Sequence, residues 1–153
     1  MNTAATLKGR FGTLRFAVLG YEYPDAEGQG DRNWLVARVE WDSASSNVTH
    51  EGAILEADEL RDLAAELSGA ESDRDHRFLE PNFALHLARG SVSITLNDAV
   101  CDGASSFEVT TPVDPADVIA FGEALRRIAQ QFPPREARPV RAASPARPGL
   151  AAA

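Results

Sequence analysis

Apolar and polar positions alternate with a strand-like period over most of this chain, and twice the alternation gives way to a helical one. The segment from Leu14 to Tyr21 has the length and apolar content of a strand. From Trp34 to Trp41 the alternation is clean, with Leu35, Ala37, Val39 and Trp41 on one face and Trp34, Val36, Arg38 and Glu40 on the other. That is the signature of a half-buried antiparallel strand. A Ser/Asp/Asn turn leads to a third strand over Asn47 to Ile54. Further on, Phe83, Leu85 and Leu87 alternate, as do Val92, Ile94 and Leu96, with Arg89-Gly90 as a tight turn between them. Phe107 and Val109 begin a sixth strand.

The helical periods fall after the third and sixth strands. Leu60, Leu63, Ala64 and Leu67 form one apolar stripe, and Val118, Phe121, Leu125, Ile128 and Phe132 form another. The two helices share a register. Leu55-Glu56-Ala57 aligns with Val113-Asp114-Pro115 at a separation of 58 residues, and the match continues through Leu63/Phe121, Ala64/Gly122 and Leu67/Leu125. Each copy opens on an acidic cap, and Pro115 occupies the first helical position, where its missing N–H costs nothing. The chain therefore reads as two βββα-like halves. The predicted class is α+β, a two-layer sandwich of a roughly six-stranded, mostly antiparallel sheet with both helices on one face. Residues 1–12 are expected to be a flexible lead-in, residues 13–133 one domain, and residues 134–153 a disordered Pro/Arg/Ala-rich tail.

Charge sharpens this division. Residues 1–132 carry 22 acidic and 11 basic side chains, a net of -11, whereas residues 133–153 carry one acidic and four basic, a net of +3. A body this acidic repels phosphate backbones, which argues against nucleic-acid binding. It would attract a basic partner at long range. With one cysteine, Cys101, no intrachain disulfide can form. No apolar run approaches membrane-spanning length and no secretory leader is evident, so the cytoplasm is the expected location and no membrane partner is expected.

The residues carry no catalytic constellation. His50, His76 and His86 have no helical metal-site spacing, and a Cys101/His dyad lacks a histidine placed nearby. Asp98 and Asp102 beside Cys101 would raise the thiol pKa and blunt its reactivity. No nucleophile elbow, phosphate-cradling Gly loop or Walker lysine is present. Acidic clusters remain. Glu22, Asp25, Glu27 and Asp31 crowd the first loop, but their spacing only loosely approaches a calcium loop. No metal or other cofactor is predicted, and no enzymatic activity.

Several segments carry a family resemblance. Gly20-Tyr21-Glu22-Tyr23-Pro24-Asp25, followed by Asn33-Trp34-Leu35-Val36, resembles the WapI-like bacterial immunity proteins and their uncharacterised relatives. So do Phe78-Leu79-Glu80-Pro81-Asn82-Phe83-Ala84-Leu85 and the helix end Gln131-Phe132-Pro133-Pro134-Arg135, so that the likeness spans roughly residues 14 to 135. The resemblance implies a small cytoplasmic protein that protects its producer from a contact-delivered toxin, which for the family's namesake pair is an RNA-cleaving nuclease. It transfers no established binding residue. The candidate contacts for a basic toxin domain are Glu22, Asp25, Glu27, Asp31, Trp34 and Glu80. Two other readings stand beside this one: a binding or scaffold module of another kind, such as a homodimer that pairs its exposed sheet face or an edge strand, and an enzyme or metal-dependent protein using a carboxylate cluster.

Overall fold

A computed structural model describes residues 3–25, 31–69, 74–77, 82–97 and 106–136. Four strands, β1 (Ala4–Lys8), β2 (Thr13–Tyr21), β3 (Trp34–Asp42) and β4 (Asn47–Glu56), pair in chain order as an antiparallel meander. Helix α1 (Ala57–Leu67) follows directly. A second meander, β5 (Arg74–Arg77), β6 (Phe83–Ala88), β7 (Ser91–Asn97) and β8 (Ser106–Pro112), is followed by α2 (Pro115–Gln131). The α+β class with two helices holds. Among the described residues, however, the strands number eight and form two four-stranded sheets, in place of a single sheet of about six. Each half is ββββα.

Both additional strands lack an apolar signature. β5 reads Arg-Asp-His-Arg and is a strand only because its backbone pairs with β6, from Arg74 opposite Leu87 to Arg77 opposite Ala84. β1 corrects the expectation of a flexible lead-in. It pairs with β2 from Ala4 opposite Ala17 to Lys8 opposite Thr13, and buries Ala5 and Leu7. Its turn is then locked onto the second sheet. Gly9 bridges Val113, Arg10 N–H donates to the Pro112 carbonyl at 2.9 Å, and Phe11 N–H donates to Thr111 Oγ1 at 3.0 Å. A Cβ on Gly9 would overlap the buried Thr111 side chain, so glycine is required there.

One apolar core unites the elements. Alternation delivers Leu14, Phe16 and Val18 from β2, Leu35, Ala37, Val39 and Trp41 from β3, Phe83, Leu85 and Leu87 from β6, and Val92, Ile94 and Leu96 from β7. The sheets meet where the Phe16 and Phe83 rings stack with centroids 6.0 Å apart. The helices complete the enclosure. Residues 58 apart, Leu60/Val118, Leu63/Phe121, Ala64/Gly122 and Leu67/Leu125, are buried in both copies. Each helix start follows its sequence signal. The Glu59 carboxylate accepts from Glu56 N–H at 2.8 Å, and Asp114 Oδ1 accepts from Ala116 N–H at 2.9 Å.

Helices α1 and α2 pack against each other at Gly122, where a Cβ would stand 2.8 Å from Leu67 Cβ and 3.0 Å from backbone atoms of Leu67 and Ser68. Alanine inside a helix is ordinarily about 1 kcal/mol better than glycine. Here the overlap reverses that preference. Gly122→Ala is expected to destabilise the fold by about 1–3 kcal/mol through overpacking, and Asp114→Ala by about 1 kcal/mol through the lost cap. Chemical denaturation measures both. An unchanged or raised midpoint for Gly122→Ala would mean that the helix pair separates at no cost.

Candidate functional site

β2 carries the chain from the Gly9–Gly12 turn to Tyr21, and α2, packed along β1, covers a similar distance from Asp114 near Gly9 to Phe132 near Tyr21. Both elements thus end at the same pole. Phe132 meets Tyr21 edge to face with centroids 5.8 Å apart. Pro133-Pro134 then holds the chain extended across the base of the first loop.

Contacts to both sides of that loop anchor the segment. The Tyr21 hydroxyl donates to the Pro133 carbonyl, and Arg135 N–H donates to Asn33 Oδ1 at 2.7 Å. The Arg135 guanidinium lies over the Tyr21 ring, 4.0 Å from its centroid, while Nη1 donates to the Pro24 carbonyl at 2.8 Å and Nη2 to the Tyr23 carbonyl at 2.9 Å. Arg32, buried at 5 % exposure, donates from Nη1 to the Glu136 carbonyl. A planar five-donor group suits this position, since it stacks on the ring and still reaches two carbonyls. The expected boundary at residue 133 is therefore too early: organised chain continues through Glu136. Residues 137–153 lie outside the described part.

This strap leaves the loop's acidic side chains facing out. Glu22, Asp25 and Asp31 are exposed, and none has an ion-pair partner among the described residues. Tyr23, 46 % exposed, reports how close two of them lie. Its phenol is pushed above the ordinary tyrosine value first by the Glu22 carboxylate, then by partial burial, by Asp31 and by a hydrogen bond with Glu22. Trp34, the first residue of β3, is half-buried on the outer face of the sheet. Its carbonyl accepts from Glu22 N–H at 2.9 Å. The structure thus gathers Glu22, Asp25, Asp31 and Trp34 at one pole. Glu27 and Glu80 lie outside the described residues, as do Asp98, Cys101 and Asp102.

Sequence reasoning missed Arg135 as an organiser. It sits in the first residues of a basic, Pro-rich stretch, where composition points to disorder. The available signal was the Pro-Pro pair, which stops the helix and projects the next residue onward in an extended path. Two of the three histidines have described side chains, and that of His76 lies outside them. His50 lies on β4 with a buried Nε2 that has no partner among the described residues, and His86 is exposed on β6. No group of three or more His, Cys, Asp or Glu able to hold a metal ion occurs among the described residues. At the opposite pole a shallow cleft of about 520 Å³ is lined by Lys8, Arg10, Asp114 and Asp117 among others, and it contains none of the candidate residues.

The family of WapI-like immunity proteins matches the chain over residues 6–133, from within β1 to the first residue of the strap. The chain belongs to that family. No curated protein and no solved structure matches it. Membership identifies it as an immunity-type protein, and such proteins are generally non-enzymatic. No described helix is long and apolar enough to cross a membrane.

Replacing Arg135 tests the strap. Arg135→Lys keeps the charge but cannot stack as a plane and bridge two carbonyls, so a loss of about 1–2 kcal/mol is expected. Faster amide exchange at Glu22, Trp34 and Arg135 would show where the loss falls; protection equal to wild type would show that the strap holds without the fork. Alkaline pH should act at the same place. Burial raises the Tyr21 phenol above its usual value, with Arg135 opposing. The neutral phenol is thus the form the fold favours. Its contribution is complete below the unfolded value of about 10 and is lost as pH rises through the higher folded value. A melting series should show stability falling above pH 10, and less steeply in Tyr21→Phe.

Proposed function

We infer that this chain is a non-enzymatic immunity protein that neutralises a toxin domain by binding it, and that it presents the acidic loop at the end of β2 and β3 to a basic face of that domain. The observation that carries this reading is the strap. Arg135, Asn33 and Tyr21 fix the loop backbone from beneath, so that Glu22, Asp25 and Asp31 remain outside at a defined position. Two arginines elsewhere on this sheet have carboxylate partners, with Arg38 bound to Glu51 at 2.7 Å and Arg15 3.9 Å from Glu40. The loop carboxylates have no ion-pair partner among the described residues. An RNA-cleaving toxin suits them, because an enzyme that binds a polyanion presents cations at its active site. An acidic inhibitor covering those cations would exclude the substrate and associate rapidly.

The test is capture of the toxin domain encoded beside this chain, if one exists. The tagged protein should retain the purified domain at low salt and lose it as salt rises. Glu22→Gln, Asp25→Asn and Asp31→Asn together should weaken capture by at least about tenfold, since close charge pairs across such interfaces couple by about 1.5 kcal/mol or more. Failure to retain the domain, with the protein dimeric by mass, would replace this reading with the self-associating module.

A further inference from the structure

The outer face of the first sheet is divided along its length. Away from the loop it is charged, crossed by the Arg38–Glu51 and Arg15–Glu40 pairs. Toward the loop it becomes apolar. The register sets Gly20, Val36 and Ala53 side by side in one row, and Trp34 opposite Glu56 in the next. The ladder is extended at that row by Glu22 N–H bonding to the Trp34 carbonyl, so Trp34 has a carboxylate-bearing residue on each side. Beside this surface stands Leu19, 47 % exposed although it lies within a nine-residue strand.

The backbone accounts for that exposure. β2 is irregular between Val18 and Gly20, and the β3–β4 register shifts between Leu35 and Val36. Both irregularities lie at the loop end, and none is recorded for the other half of the sheet. A bulge gives a strand an extra residue, bends it and redirects a side chain. Here alternation already turns Leu19 outward from Val18 in the core, and the bulge leaves it without a residue directly opposite on β3. Glu56 adds a second carboxylate, which also accepts from Glu59 N–H at the start of α1; burial first, then Glu59 and Asp58, raise its carboxyl above the usual range.

We propose that the loop end of this sheet face is the centre of the partner contact, with Trp34, Val36 and Leu19 receiving an arginine- or lysine-bearing segment of a basic protein partner. The site rests on the immunity reading, and it moves the contact's centre from the loop onto the sheet. The cationic head of such a side chain stacks on the Trp34 ring between Glu22 and Glu56, and its aliphatic stem lies along Val36 and Leu19. Charge complementarity selects the occupant. A neutral apolar segment would take both carboxylates out of water without supplying a cation, and an acidic one would be repelled.

Leu19→Glu separates this proposal from attraction by charge alone. The substitution adds a negative charge to a surface that attracts cations, so steering alone predicts equal or tighter capture of the purified toxin domain. Loss of the apolar centre predicts binding weaker by at least about tenfold, the scale of an interface anchor. Leu19→Met, which keeps volume and polarity, should bind as wild type does. Phe11→Glu, at the 58 % exposed aromatic of the opposite pole, should have no effect. Equal or tighter binding by Leu19→Glu, or a loss with Phe11→Glu instead, overturns the proposal and leaves the immunity reading intact. A wild-type protein that does not bind the domain overturns both.

Discussion

The contact between Phe16 and Phe83 is the constraint on which the rest of the structure depends. Two four-stranded meanders each bury one face, and a sheet of this size cannot be stable with that face in water. Joining them at these rings makes one core from two halves. It also decides what remains outside. Once Leu14, Phe16 and Val18 point inward, Arg15, Ala17 and Leu19 must point outward, and the same parity places Trp34, Val36 and Arg38 beside them. The proposed contact face follows directly from the direction in which the core closes.

The helix pair turns that architecture into a site. α2 can end at Tyr21 only because its other end is held at the Gly9–Val113 bridge and its middle approaches Leu67 without a side chain at Gly122. A helix of 17 residues then spans roughly 25 Å, close to the length of β2. The strap therefore arrives at the first loop as a consequence of length, and Arg135 organises a segment more than a hundred residues earlier in the chain. Positions this distant are coupled through packed elements and not through neighbouring sequence.

Much of this was legible in the chain. The alternation of β3, the two capped helices and the 58-residue register appear in the structure as read, because each rests on local periodicity and on side chains that act within a few residues. What was not legible depends on long-range pairing. β5 has no apolar residue and is a strand only through β6. β1 has just Ala5 and Leu7 to bury, and the glycines at 9 and 12 were its one signal. Division into two sheets is a choice among edges that periodicity leaves open. At the proposed contact surface, Glu22, Asp25, Asp31 and Trp34 were picked out by charge and by family motif. Arg135 and Leu19 were not, since a guanidinium in a Pro-rich stretch and a leucine inside a strand each look like their commonest counterparts.

The division of the pole into a charged loop and an apolar sheet face has a kinetic meaning. Long-range attraction by a net -11 body raises the rate of encounter, but beyond about 8 Å it is screened at physiological salt. It cannot by itself hold a complex for long. Residence time is set by contacts that exclude water, and these respond weakly to ionic strength. A protein that must neutralise a toxin before it acts needs fast capture and slow release together. The carboxylates of the strapped loop are suited to the first, and the Trp34–Val36–Leu19 surface to the second. Since both are held by the same two ends, those of β2 and α2, neither can shift without the other.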